Sequence, residues 1–316
     1  MDCIMSAKEI AMSYLGQFRN GEYDLLAVIG PTASGKTGFA VKVAREIDSL
    51  CGKGCAVILS ADSRQVYRGM DIGTGKDLGE YGEIPYRLID IADAGSQYNI
   101  FEYQRDFERE YSKVLREGGI PILCGGSGLY IEAATCGYSL PEVPPDPALR
   151  EELEKKDTDS LIAMLASMKT LHNSTDYDTR KRLIRAIEIA VYEQSHPVDR
   201  THFLPKNCRY AGISVSREER NARIDSRLEK RLGEGMVEEV ERLLQSGIPP
   251  KNLIYYGLEY KFITLYLTGK MEYEEMKVKL RIAIHQFAKR QMTWFRGMER
   301  RGIPIEWIET EKQCHI

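Results

Sequence analysis

The chain has 316 residues, 43% of them hydrophobic and 29% charged, with a formal net charge of −3. That size accommodates a large α/β core with a smaller second domain, and the composition excludes a disordered or collagen-like chain. The small net charge carries no general nucleic-acid signal, so a bound nucleic acid must meet local positive charge. No run approaches the ~20 apolar residues that cross a bilayer, and the start lacks a signal peptide's apolar stretch, so a cytoplasmic location without membrane attachment is expected. Seven cysteines, an odd number, argue against a disulfide framework. Cys51 and Cys55 are the one close pair and lack two further ligands at finger spacing.

Residues 1 to about 22 read as an amphipathic helix with Ile10, Tyr14 and Phe18 on one side, ending at Asn20-Gly21. The apolar run Leu25 to Ile29 then enters Gly30-Pro31-Thr32-Ala33-Ser34-Gly35-Lys36-Thr37, a G-x-x-x-x-G-K-[ST] loop. Its glycines let successive backbone N–H groups turn toward an anion, Lys36 adds a mobile cation, and the Thr37 hydroxyl is the usual Mg²⁺ ligand of such a loop. Phe39, Ala40, Val43, Ala44 and Ile47 recur at helical spacing, so the loop opens a helix whose positive end adds to the attraction. These features specify a polyphosphate and magnesium, without saying which polyphosphate. Ala56 to Ser60 is a second strand, and strand, glycine loop, helix, strand begins a doubly wound parallel sheet that binds ligands beyond its carboxyl ends.

Asp62 stands where that second strand ends, on the edge that carries the phosphate loop. Three readings of it are open: a helix N-cap for Ser63 to Tyr67, a magnesium carboxylate, or a general base for a second substrate. Arg68 to Lys76 is punctuated by glycine and reads as a surface loop. Tyr86 to Ile91 is strand-like, Tyr98 to Arg116 is helical in period, and Ile120 to Cys124 is a buried strand that ends in Gly125-Gly126-Ser127-Gly128, a second glycine turn into a helix. Gly137 to Pro147 marks a boundary, and Ala148 to about Gln194 is mainly helical. Arg180, Lys181, Arg182 and Arg185 fall within six positions there, either as a solvated face or as a contact to a phosphate backbone. Tyr210 to Val215 returns to the sheet, and Ser216 caps a helix that starts with Glu218 and Glu219. Further helices follow Gly247 and Gly269. In the last, Lys277, Arg281, His285 and Lys289 draw a basic stripe beside Leu280, Ile284, Phe287 and Phe295, an apolar side expected in the core. The expected division is a core over residues 1–137, a helical insertion over 138–200, and core completion with C-terminal helices over 201–316.

Six blocks in order, GPTASGKT at 30–37, ADSRQVYRGMDIGTGK at 61–76, GGSGLYIEA at 125–133, RKRLIRAIEI at 180–189, RIDSRLEKRLGEGMVEEV at 223–240 and AKRQMTWFR at 288–296, resemble the tRNA dimethylallyltransferases, also called tRNA isopentenyltransferases. The resemblance implies a P-loop NTPase-like parallel sheet flanked by helices, with a mainly helical insertion. It implies transfer of a dimethylallyl group from dimethylallyl diphosphate to N6 of the tRNA adenosine just 3′ of the anticodon, with release of diphosphate. Gly30, Thr32, Ala33, Ser34, Gly35, Lys36 and Thr37 would hold the diphosphate, with Mg²⁺ on Thr37. Asp62 would be the general base, and Ser127, where the family usually has Thr, would turn its hydroxyl to the bridging oxygen. Ser63, Arg64 and Gln65 would lie in the segment around the flipped base, and Arg150 with Lys181, Arg182, Leu183, Ile184 and Arg185 would touch the anticodon stem-loop.

The chain departs from the family at Glu259-Tyr260-Lys261, where Gly-Tyr-Arg is common, and at Leu171 to Thr175. A monomer is expected. The rival readings are a P-loop small-molecule kinase using ATP, an RNA-binding NTPase switch, and an isopentenyltransferase acting on a free nucleotide.

Overall fold

The computed structural model describes residues 6–137, 143–168, 179–196 and 205–309. In chain order they form α1 (Ala7–Arg19), β1 (Leu25–Ile29), α2 (Lys36–Cys51), β2 (Ala56–Ala61), β3 (Tyr67–Arg68), β4 (Tyr86–Arg87), β5 (Ala92–Asp93), α3 (Ile100–Arg116), β6 (Ile120–Gly125) and α4 (Gly128–Thr135). There follow α5 (Pro147–Glu154), α6 (Thr158–Met168), α7 (Arg180–Ser195), β7 (Cys208–Ser214), α8 (Arg217–Gly233), α9 (Met236–Gln245), α10 (Pro250–Tyr255), α11 (Leu258–Leu267), α12 (Tyr273–Arg300) and β8 (Ile305–Glu309). The strands pair in the order β4-β2-β6-β1-β7-β8, every neighbour parallel, and β3 with β5 makes a separate parallel pair.

A parallel sheet is covered on both faces, so its strands carry apolar residues without alternation. Leu25 to Ile29 and Ala56 to Ala61 are buried at every position. On one face α1 and α2 pack Ile10, Tyr14, Phe39, Val43 and Ile47 against Leu26, Val28, Ile58 and Ile122. The Tyr14 hydroxyl donates to the Pro121 carbonyl at 2.9 Å, which fastens α1 to β6. Aromatic rings line α3, where Phe107 lies 5.7 Å from Tyr111 and Tyr103 stacks at 4.1 Å on Tyr130 of α4.

The chain divides into two compact units, Met1–Gly137 with Leu204–Ile316, and Tyr138–Phe203. In the smaller unit α5, α6 and α7 bury Leu153, Leu161, Leu165, Leu183 and Ile187 together. Its buried acid, Glu188, accepts from the Arg150 guanidinium at 2.8 Å, from Arg185 at 3.2 Å and from the Asp146 N–H at 2.9 Å. The departure at Leu171 to Thr175 lies outside the described residues.

Several sequence expectations change. Ser63 to Val66 is a turn and not a helix, and Tyr67 opens β3, because Asp62 Oδ1 accepts from the Arg64 N–H two residues on at 2.9 Å and so offers the backbone an alternative to helix. Within Tyr86 to Ile91 the main sheet takes only Tyr86–Arg87, and Leu88 and Asp90 adopt left-handed φ of 66° and 55° that no strand continues through. The helix entered at Ser216 breaks at Gly235, whose φ is 98°, and Gly257 separates α10 from α11. Phe287 is exposed, since it lies off the α12 face that buries Leu280, Ile284, Ala288, Gln291 and Phe295.

The glycine-rich loop at 68 to 76 is also not a free surface loop. Glu239 of α9, itself buried, accepts from the N–H groups of Asp71 (2.8 Å), Ile72 (2.8 Å) and Gly73 (3.0 Å), and from the Tyr260 hydroxyl at 2.6 Å. A Cβ at Gly73 would stand 2.8 Å from the Tyr260 ring, and one at Gly75 2.1 Å from Arg231. Glycine is needed there for close approach to neighbouring helices. Lys76 is buried and donates to the Tyr67 carbonyl, to Asp71 at 2.9 Å and to Asp90, which makes it a brace within the loop.

Replacing Glu239 by alanine strands three backbone donors and a buried hydroxyl, so Glu239→Ala is expected to lower stability by about 3–5 kcal/mol, and Glu239→Gln by less. Urea unfolding measures both. A loss under ~1 kcal/mol for the alanine variant would show that the carboxylate does not hold the loop.

Candidate active site

The order of strands decides which loops meet. β6 lies between β2 and β1, so the chain ends leaving those three strands, Asp62, Gly126-Ser127 and the Gly30 to Gly35 loop, stand side by side at about 4.8 Å strand spacing. Two glycines permit the convergence. A Cβ on Gly125 would come within 2.2 Å of the Ala61 carbonyl oxygen, and one on Gly126 within 2.9 Å of the Gly30 carbonyl oxygen and 3.3 Å of Lys36 Nζ.

The loop itself curls through left-handed φ at Ala33 (62°) and Gly35 (84°), and α2 begins with no side-chain cap. Its first N–H groups are therefore left for an anion. Lys36 reaches back to the Pro31 carbonyl at 3.3 Å, and burial lowers its pKa below the ordinary lysine value while Cys124 and Asp62 act in the opposite sense. The Cys124 thiol is pushed up to about 11 by burial, with the Lys36 charge and the Thr37 hydroxyl working against that rise. Thr37 thus stands against β6 beside Lys36. Ser34 is fully buried, and its hydroxyl has no partner among the described residues.

Ser127 is the residue before α4, yet its hydroxyl does not cap that helix. It accepts from the Ser63 N–H at 3.0 Å and donates to the Ser63 hydroxyl at 3.2 Å. The two turns that carry Asp62 and Ser127 are tied together by this pair. In the same turn Arg64 lies 5.8 Å from the centre of the Tyr255 ring, and the Gln65 amide donates to the Gly75 carbonyl at 3.1 Å, away from the loop edge.

The structure adds residues to which sequence reasoning gave no role. From α8, Arg223 donates to the Ser34 carbonyl at 3.4 Å, Arg227 donates to the Thr32 hydroxyl, and Arg231 pairs with Asp77 at 3.3 Å. Burial and the neighbouring Arg231 charge bring the Arg227 pKa down to about 10, so at neutral pH it stays a cation with its charge poorly compensated. Glu80, nearby, is shifted the other way: burial and then Asp77 raise its pKa toward the neutral acid. The sequence signal was the spacing of four in Arg223, Arg227 and Arg231, which puts them on one helix face.

From α12, buried Gln291 bridges two loops: its Oε1 accepts from the Thr32 N–H at 2.8 Å and its Nε2 donates to the Gly126 carbonyl at 2.7 Å. A lone glutamine within an apolar helix face was the only trace of this in the sequence. Three residues on, the Trp294 indole covers Gly128, where a Cβ would clash at 2.3 Å.

Other expected contacts fall elsewhere. Leu183 and Ile184 are core side chains of the helical unit and present no surface to an RNA. Arg150 and Arg185 are engaged by Glu188, while Lys181 and Arg182 are exposed on α7. The stripe on α12 is largely neutralised by α8: Lys277 pairs with Glu229 at 3.1 Å, Arg281 with Glu229 at 2.8 Å, and His285 with Asp225 at 2.8 Å. Among the described residues no cluster of three histidine, cysteine, aspartate or glutamate side chains is set to hold a metal, Cys51 and Cys55 included, and no helix is long and apolar enough to cross a membrane.

The profile of the family described as IPP transferase matches residues 65–298. A protein of Bacteroides fragilis named tRNA dimethylallyltransferase 2 is 56% identical over 292 residues, covering 91% of this chain and 93% of its own. Its namesake in Porphyromonas gingivalis is 53% identical over 298 residues, 92% of this chain and 96% of its own. Among solved structures, the tRNA isopentenylpyrophosphate transferase of Bacillus halodurans superposes with a TM-score of 0.65 at 29% identity, covering 91% of this chain and 90% of its own. A eukaryotic dimethylallyltransferase acting on tRNA shares the fold at 19% identity, with a TM-score of 0.71 over 92% of this chain and 75% of its own.

Because Gln291 holds both the loop after β1 and the loop after β6, Gln291→Ala is expected to cost about 2–4 kcal/mol of stability and to weaken pyrophosphate binding on the order of tenfold or more. Calorimetric titration with inorganic pyrophosphate, alongside urea unfolding, reads both effects. Native affinity in the variant would show that the loop keeps its shape without the bridge.

Proposed function

This chain belongs to the IPP transferase family, and we propose that it transfers a dimethylallyl group from dimethylallyl diphosphate to N6 of a tRNA adenosine beside the anticodon. It is a transferase, and diphosphate is the leaving group. The observation that supports this most directly is the juxtaposition of the phosphate loop with a carboxylate and a hydroxyl on the adjacent strand ends.

The allylic C–O bond breaks as negative charge builds on the departing diphosphate. Lys36, Arg227, Arg223 and the uncapped N–H groups of α2 surround that charge with donors already in place, and preorganised donors act on the transition state without reorganisation. Magnesium, when bound, would supply further charge neutralisation, and the Thr37 hydroxyl is the oxygen donor of this chain that would hold it. A site with few protein ligands suits that ion, which seldom occupies an all-protein cage.

The acceptor amine is a weak nucleophile because its lone pair is delocalised into the adenine ring. Asp62 takes the amine proton as the C–N bond forms, a contribution on the order of 10²–10⁴ in rate. Its other role, accepting from the Arg64 N–H, holds the carboxylate in position at the end of β2. Ser127 carries a hydroxyl that rotates from Ser63 to the bridging oxygen of the substrate. The adenine reaches the site by leaving its stack, at a cost of a few kcal/mol that contacts to the RNA offset. The fold and family leave the kinase reading without support, since a prenyl and not a phosphoryl group is what the named relatives transfer.

Asp62→Ala is expected to leave diphosphate binding within about twofold and to lower turnover by several hundredfold. Turnover is followed by transfer of labelled dimethylallyl diphosphate to an unmodified anticodon stem-loop, and an unaltered rate removes Asp62 from the mechanism. Lys36→Ala is expected to weaken binding of the diphosphate and slow its departure together, by on the order of 10²–10³ in kcat/KM. Native kinetics in that variant would sink the assignment. Absence of label in the RNA with the unaltered chain would overturn the activity itself.

A further inference from the structure

The pairing of α8 with α12 changes character along its length. At one end it is complementary: Glu229 faces Lys277 and Arg281, and Asp225 faces Arg281 and His285. The contacts run antiparallel, with lower numbers on α8 meeting higher numbers on α12. Continuing in that direction, α8 reaches Arg220 and Arg217, with Glu218 and Glu219 between them, and α12 reaches Arg296. Burial lowers the pKa of Arg220 of α8, and the positive charges of Arg217 and Arg296 lower it further, with Glu218 acting against them.

Among the described residues no acid is hydrogen-bonded or ion-paired to Arg217, Arg220 or Arg296, and the Arg220 Nε–H is buried without a partner. The nearby acid Glu219 is engaged by Arg223 at 2.6 Å. Like charges brought together and a buried donor left unmet both oppose folding, and no acid among the described residues pairs with these arginines to offset them. An external polyanion would.

We propose that Arg217, Arg220 and Arg296 form a docking patch for the phosphate backbone of the RNA substrate. The inference rests on the tRNA reading above and places part of the RNA on the large unit of the chain. Two features favour RNA over a second diphosphate. The diphosphate already has Lys36, Arg227 and the α2 N–H groups, whereas Arg217 and Arg296 are exposed and open to a long ligand. The patch also adjoins the phosphate loop, because Arg223, one turn along α8, donates to the Ser34 carbonyl. A backbone seated on it passes the mouth of the reaction site.

The test uses Arg217→Gln/Arg296→Gln, both at exposed positions, and Arg220→Gln separately. Fluorescence anisotropy of an unmodified anticodon stem-loop is measured across salt concentrations, with prenyl transfer followed in parallel. The double variant is expected to bind RNA about tenfold more weakly, to lose about 1.5 from the slope of log affinity against log salt, and to raise KM for RNA while kcat and KM for dimethylallyl diphosphate hold within about twofold. Arg296→Glu is expected to weaken RNA binding further. Unchanged RNA affinity and slope in variants with native melting overturn the patch, as does a loss confined to inorganic pyrophosphate binding. If the unaltered chain binds RNA without transferring the prenyl group, the activity fails while the salt slopes still decide the patch.

Discussion

A strand wedged between two others is the constraint on which the site depends. With β6 seated between β1 and β2, three chain segments far apart in sequence emerge within two strand spacings of one another. Parallel pairing makes all three leave at the same edge, and glycine at positions 125 and 126 lets their backbones close without side chains between them. Asp62, Ser127 and the phosphate loop owe their proximity to that pairing and to no local preference of their own segments.

Charge is distributed around this edge unevenly. One face of α8 pairs Asp225 and Glu229 with Lys277, Arg281 and His285 of α12, while another sends Arg223, itself paired with Glu219, and Arg227 to the loop. The cost is visible in the lowered pKa values of Lys36 and Arg227, both chiefly through burial.

Glu239 performs the comparable task for the glycine loop. Three successive N–H groups that could have gathered an anion from solution are given one from within the fold, and the loop is thereby fixed to α9 and α11. The same backbone donors meet a carboxylate at this loop and are left without a side-chain cap at the start of α2. Only the partner distinguishes them.

What the amino-acid order determined by itself was local: the apolar runs that become β1, β2 and β6, the phosphate loop with its following helix, the cap at Ser216 and the break after Gly137. Each follows from rules that act over a few residues, such as buried strand pattern, glycine conformation and capping. The resemblance carried by six blocks added the acceptor and donor. Tertiary structure decided which glycine loop is held by the fold, since Gly73 lies against Tyr260 and Gly75 against Arg231. It decided that Leu183 and Ile184 face a core, and that most of the basic stripe on α12 is neutralised by α8. It also disclosed Gln291 and Arg227, whose partners lie far away in the chain. A side chain's charge and shape are written in the sequence, but whether they meet water, an acid or an empty loop depends on what the fold sets opposite them.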